Sequence, residues 1–164
     1  MNVMRRHVYF ILALSTWLPL AAALAAQDRP DVPSPPDGRP GYPAPPQIVA
    51  EIREVVEAAL VRFRAMDEAG LLALVSPQYR TDTLTKAGIA EQLRTVFTLH
   101  DQVRVRVRID NVRMVGEHAW VYSTGQVTGR LRVIGSWILV ASWQRELEIA
   151  RRENGRWRLY GYQQ

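Results

Sequence analysis

The sequence predicts an α+β domain in which three N-terminal helices pack on one face of a curved antiparallel sheet. Three observations lead there. Between Ile48 and Met66 apolar residues recur at spacings of three and four; after His100 the spacing drops to two; and the last alternating stretch is broken by Glu153, Asn154 and Gly155, a hairpin signal. Helices followed by consecutive strands place the helices against one side of a meander. With 164 residues, 48% hydrophobic and 23% charged, the chain suffices for one domain with a core of its own.

The first 25 residues read differently from the rest. Arg5 and Arg6 open a basic start, Val8 to Leu24 is an apolar run, and Ala23 and Ala25 form an A-x-A arrangement. That pattern is a secretory signal peptide spanning residues 1–25, with Pro19 and the alanine-rich end favouring cleavage over retention as an anchor. A periplasmic or secreted bacterial location follows, with no stable membrane anchor after signal cleavage. Without Arg5 and Arg6 the chain keeps 19 basic and 16 acidic residues, a mild excess carried almost wholly by arginine, since Lys86 is the only lysine. There is no cysteine, so an exported domain must be held by its core rather than by disulfides. Residues 26–46 are rich in proline, with glycine, serine and aspartate, and are expected to be a disordered linker unable to join a helix or a sheet ladder.

The domain occupies residues 47–164. Ile48, Ile52, Val55, Val56, Ala59, Phe63 and Met66 make one stripe on a first helix, which Gly70 is expected to end. Leu71 to Val75 supplies a short second helix, and Thr85 offers the N-cap of a third whose Ile89, Leu93, Val96 and Phe97 share a side.

Four strands are expected, at about Gln102 to Val115, Ala119 to Val133, Trp137 to Arg152 and Arg156 to Tyr162. A three-residue loop at Gly116 to His118 pairs Val103, Val105 and Val107 with Leu131, Gly129 and Val127. The apolar phase moves from odd positions to Val112 and Met114, which calls for a bulge near Asp110 or Asn111. A second three-residue loop, Glu153 to Gly155, sets Ile149 opposite Leu159 and gathers Leu147, Ile149, Trp157 and Leu159 on one face. In VRVRVRI, Val103 to Ile109, the aliphatic residues are the buried side, while Arg104, Arg106 and Arg108 line the wet side of an edge strand and discourage further pairing. No aromatic side chains interleave those arginines to stack bases, so nucleic acid is not an expected partner.

The segment RFRAMDEAG at the end of the first helix, the short LLALVSP, the TKAG opening of the third helix and the closing ARRENGRWRLYGY together resemble the nuclear transport factor 2-like superfamily across Gln47 to Gln164. The resemblance implies a sheet wrapped into a cone whose mouth holds a small molecule, in members that range from SnoaL-like and ketosteroid isomerase-like enzymes to binding and assembly domains. In the isomerases a tyrosine after an arginine donates to the oxyanion. Here the matching pair is Arg62 and Phe63, and phenylalanine has no proton to donate. The isomerase base would fall near Asp82.

Chemistry is otherwise sparse. Asp82, His100 and Asp101 are the weak catalytic candidates, with Asp110 and His118 behind them; His118 is placed in an exposed turn. No metal motif, nucleophile elbow or phosphate loop is present, so neither metal nor cofactor is expected. A ligand pocket is expected from Phe63, Tyr79, Phe97, Trp143 and Trp157. Trp137, Ile138, Leu139 and Val140 are apolar on both strand faces, which suggests a homodimer through the outer sheet face. The expected function is an exported, non-catalytic module that binds a small hydrophobic ligand or a protein in the bacterial envelope. The alternatives are a small cofactor-independent enzyme of the polyketide cyclase or isomerase-like type, and an assembly component of an envelope complex.

Overall fold

A computed structural model describes residues 41–161. The signal peptide and residues 26–40 of the linker lie outside them. The described elements run β1 (Tyr42–Pro43), α1 (Pro46–Arg64), α2 (Glu68–Ala73), β2 (Arg80–Thr81), β3 (Leu84–Thr85), α3 (Lys86–Leu99), β4 (His100–Val115), β5 (His118–Leu131), β6 (Trp137–Glu153) and β7 (Arg156–Leu159). Strands β1, β4, β5, β6 and β7 form one antiparallel sheet in that order, and β2 with β3 makes a small separate ribbon.

The helices differ from expectation at one junction. α1 ends at Arg64, six residues before Gly70, because Met66 takes a left-handed conformation with φ of 55°. The Asp67 amide donates to Arg62 O at 2.9 Å and the Met66 amide to Phe63 O at 3.0 Å, a Schellman termination with methionine where glycine is usual. Gly70 instead lies inside α2, where its amide donates to the N-capping Asp67 Oδ1 at 2.8 Å. Thr85 caps α3 as expected, accepting from the Gly88 amide. Ile89, Leu93 and Val96 are buried beneath it, each contributing about 1.5–3 kcal/mol by leaving water.

The end of the linker is also corrected. Tyr42 and Pro43 pair with Met114 and Arg113 on β4, so residues 41–46 include a strand, the N-cap Pro45 and the first residue of α1. Along Val103 to Ile109 the free edge of β4 has no other described strand. There Val103 and Val105 are buried and Arg104, Arg106 and Arg108 exposed, which is the alternation expected of the edge.

Both hairpins turn in two residues rather than three. Val115 faces His118 across Gly116 and Glu117, and Asp110 is bulged, so Val103 meets Gly129, Val105 meets Val127 and Val107 meets Gly125. The shorter turn and the bulge each displace the register by one, so the buried face is kept while the partners change. In the last hairpin nothing cancels the slip. Asn154 (φ 51°) and Gly155 (φ 77°) form a type I′ turn, so Ala150 pairs with Leu159 and Arg152 with Trp157. Leu147 and Ile149 therefore leave the face of Trp157 and Leu159. They join Trp120, Tyr122 and Tyr160 in an apolar cluster on the other side of the sheet.

The sheet bends along a line of irregularities. Asp110 on β4, the step between Ser123 and Gly125 on β5, and Arg145 on β6 (φ 50°) lie side by side. Thr124 Oγ1 donates to Asp110 Oδ2 at 2.5 Å and accepts from the Arg145 amide at 3.1 Å, tying the three strands at the bend. At Gly125 the ring of Trp143 lies so close that a Cβ would come within 2.3 Å of its Cζ2.

Candidate functional site

The concave side of the bent sheet and the inner face of α1, with Leu71 of α2 and Ile89 and Leu93 of α3, line a partly open cavity of about 140 Å³. Helix α1 contributes Ile52, Val56, Ala59 and Phe63 to its wall because these recur at helical spacing. The sheet contributes Val105, Val107, Val121, Val127, Trp143 and Trp157 because they alternate toward the same side. The wall is almost wholly apolar. Ser123, Glu148 and Arg158 are the polar residues in it.

Two aromatic side chains are fixed by hydrogen bonds of their indole nitrogens. Trp143 Nε1 donates to the buried Ser123 Oγ at 3.1 Å, and Trp157 Nε1 donates to Glu51 Oε2 on α1 at 2.7 Å. Phe63 meets Phe97 edge-on at 5.4 Å. Of the five residues expected to form a pocket, Phe63, Trp143 and Trp157 line the cavity; Tyr79 and Phe97 sit in or against the core outside its wall.

The catalytic candidates read from sequence are scattered elsewhere. Asp82 is exposed in the β2–β3 turn with φ of 50°. His100 is buried at the α3–β4 junction, where Nδ1 donates to Val96 O at 2.8 Å and the ring packs over Gly129; Nε2 has no partner among the described residues. Asp101 accepts from Arg130 through both oxygens, at 2.9 and 2.6 Å, and this hydrogen-bonded guanidinium lowers its pKa and keeps it charged. Asp110 is the bend tie described above. His118 is the first residue of β5, half-buried against Tyr160 rather than in an exposed turn, and burial followed by the Arg151 charge lowers its pKa. None of the five lies on the cavity wall.

The sequence reading passed over two carboxylates. Glu148 pairs with Val121 and Glu146 with Ser123, so both occupy the concave face of β6, and Glu148 is part of the wall. Glu146 Oε2 is buried with no partner among the described residues, and burial raises the pKa of this carboxyl to about 7. The signal that exposes them is N-G at Asn154 and Gly155. Counting back from a two-residue turn puts Glu146 and Glu148, instead of Leu147 and Ile149, on the inner side.

Among the described residues there is no group of histidines, aspartates and glutamates placed to hold a metal ion, and no helix long and apolar enough to cross a membrane.

No protein-family model matches the sequence, and comparison with curated proteins finds no match. Solved structures do resemble it. A conserved protein from Planctomyces limnophilus is 16% identical, with a TM-score of 0.59 over 70% of this chain and 92% of its own. A ketosteroid isomerase-like protein from Erwinia carotovora atroseptica is 21% identical, with a TM-score of 0.55 over 71% of this chain and 93% of its own. A protein of the NTF2-like family from Streptomyces avermitilis, assigned as a dehydratase, is 12% identical, with a TM-score of 0.57 over 72% and 94%. At such identities the likeness is one of fold, and the fold is the nuclear transport factor 2-like cone.

Proposed function

We propose that this chain is an exported binding protein whose cone takes up a small apolar molecule about the size of one ring. The cavity carries that reading. Its 140 Å³ is close to the roughly 150 Å³ apolar void known to stay dry and accept benzene, and its wall offers dispersion contacts with few polar groups to satisfy. Export rests on the signal-like residues 1–25 and is tested by N-terminal sequencing of protein recovered outside the cytoplasm, where a start at Ala26 is expected.

Trp143 and Trp157 line the cavity, so their fluorescence reports occupancy. Titration with benzene and toluene is expected to give saturable changes, whereas two-ring compounds give none. Linear, non-saturating responses to all of them would sink the proposal.

One observation favours a second reading, a small cofactor-independent enzyme of the isomerase-like type. A carboxyl with its pKa raised to about 7 shares a strand face with a cavity-lining carboxylate, and a group poised near neutrality suits proton transfer. A turnover assay that collapses in Glu146→Gln while ligand binding persists would select this reading.

A further inference from the structure

The end of the sheet formed by β5 and β6 carries a feature that the cavity does not use. Val133 is 94% exposed, Ile134 67% and Leu139 60%, and Trp137 and Ile138 are also exposed. Leu99, at the end of α3, joins them, since the Arg132 amide donates to its carbonyl at 3.0 Å. The tip is held firmly to the body. Arg132 donates through its guanidinium to the carbonyls of Phe97, Thr98 and His100, and Gly135, with φ of 67°, closes the turn.

Charge accompanies the apolar residues. Within residues 98–110 and 126–142 the charged side chains are Arg104, Arg106, Arg108, Arg130 and Arg132 against Asp101 and Asp110, which pair with Arg130 and Arg108. Arg104 lies over the Trp137 ring at 3.8 Å, and Arg106 is exposed.

We propose that this hairpin tip, residues 132–139 together with Leu99, docks the protein onto an anionic lipid surface. Trp137, Ile138 and Leu139 are consecutive on a strand, so their side chains leave on alternate faces. A protein groove covers one face of a strand, whereas lipid surrounds both. A second copy placed symmetrically on the tip would bring its own arginines against these, and like charges oppose that contact. Lipid phosphates instead match the arginines, and the headgroup layer is where tryptophan and arginine side chains settle.

The absence of cysteine makes a site-specific test direct. Ile134→Cys, or Val133→Cys in its place, is labelled in the full chain with an environment-sensitive fluorophore. Glu117→Cys, in the hairpin at the opposite end of β5, is the control. Vesicles of phosphatidylglycerol mixed with phosphatidylcholine are expected to shift the tip label to the blue and leave the control unchanged. Phosphatidylcholine alone is expected to give little shift, and Arg104→Gln with Arg106→Gln weakens the anionic response on the order of tenfold. Three results would overturn the proposal: no shift at the tip with anionic vesicles, equal shifts at tip and control, or a concentration-dependent shift without lipid that marks a second copy.

Discussion

Glu146 is a carboxyl on the concave face of β6 with one oxygen buried and unpartnered among the described residues, and that burial has a consequence for stability. Its pKa in the fold is raised to about 7 from an ordinary 4.5. A carboxyl raised in this way binds its proton more tightly folded than unfolded. Its stabilising effect is complete below about pH 4.5 and drains away as pH climbs through 7. Because the group is only half-buried, the loss is expected to be on the order of 1 kcal/mol after allowance for solvent. Glu146→Gln keeps the shape and removes the titration. Urea unfolding of this variant at pH 5 and pH 8 should give nearly equal midpoints where the parent loses stability at the higher pH; parallel losses in both would show that another group is responsible. Ser123 matters for a different reason. It is the acceptor for Trp143 Nε1 inside the core, and Ser123→Ala would remove that hydrogen bond at a cost of about 0.5–1.5 kcal/mol, read as a fall in the unfolding midpoint.

At the scale of elements, the Asn154–Gly155 turn decides which residues of β6 see the cavity. Gly155 has φ of 77°, a region closed to β-branched side chains, so Gly155→Val is expected to lower stability by about 1 kcal/mol or more. The stronger expectation concerns register: a variant carrying one extra glycine in this turn should move Trp157 away from Glu51, read as a shift in tryptophan emission. Helix and strand order, the bulge near Asp110, the N-cap at Thr85 and the outward arginines of β4 were all legible, because each is written in local periodicity or a local capping group. Turn length was not. Around Gly116 two- and three-residue loops look alike, and around Asn154 and Gly155 the N-G signal of a two-residue turn competes with apolar pairing, a rule that assumes one dry and one wet face. Here the outer face has its own apolar cluster of Trp120, Tyr122 and Ile149, so both registers pair apolar residues and the test loses its power. Hiding Glu146 and Glu148 was the direct result. Gly70 misled in a similar way: Met66 bears the left-handed conformation that glycine normally marks, and its own packing against the core accompanies it.

On the scale of the whole molecule, the bend in the sheet and the length of α1 leave a void that neither layer fills, while the β5–β6 end of the sheet, beside the end of α3, carries a bare apolar tip. These are separate features, since no tip residue belongs to the cavity wall. Function in the void and function at the tip therefore respond to different substitutions. Ala59 lines the void from α1, so Ala59→Leu places aliphatic bulk where a ligand would lie. Filling an existing void adds buried apolar area without displacing neighbours, and a gain of about 1 kcal/mol in stability is expected. Saturable binding of single-ring compounds should disappear in the same variant, while the vesicle response of the labelled tip stays as it was. Retained binding would place the ligand outside the cone. A loss of stability would show that neighbouring side chains already occupy the space, in which case the cavity is too small for the molecule proposed and the carboxylates on β6 face packed core rather than a site.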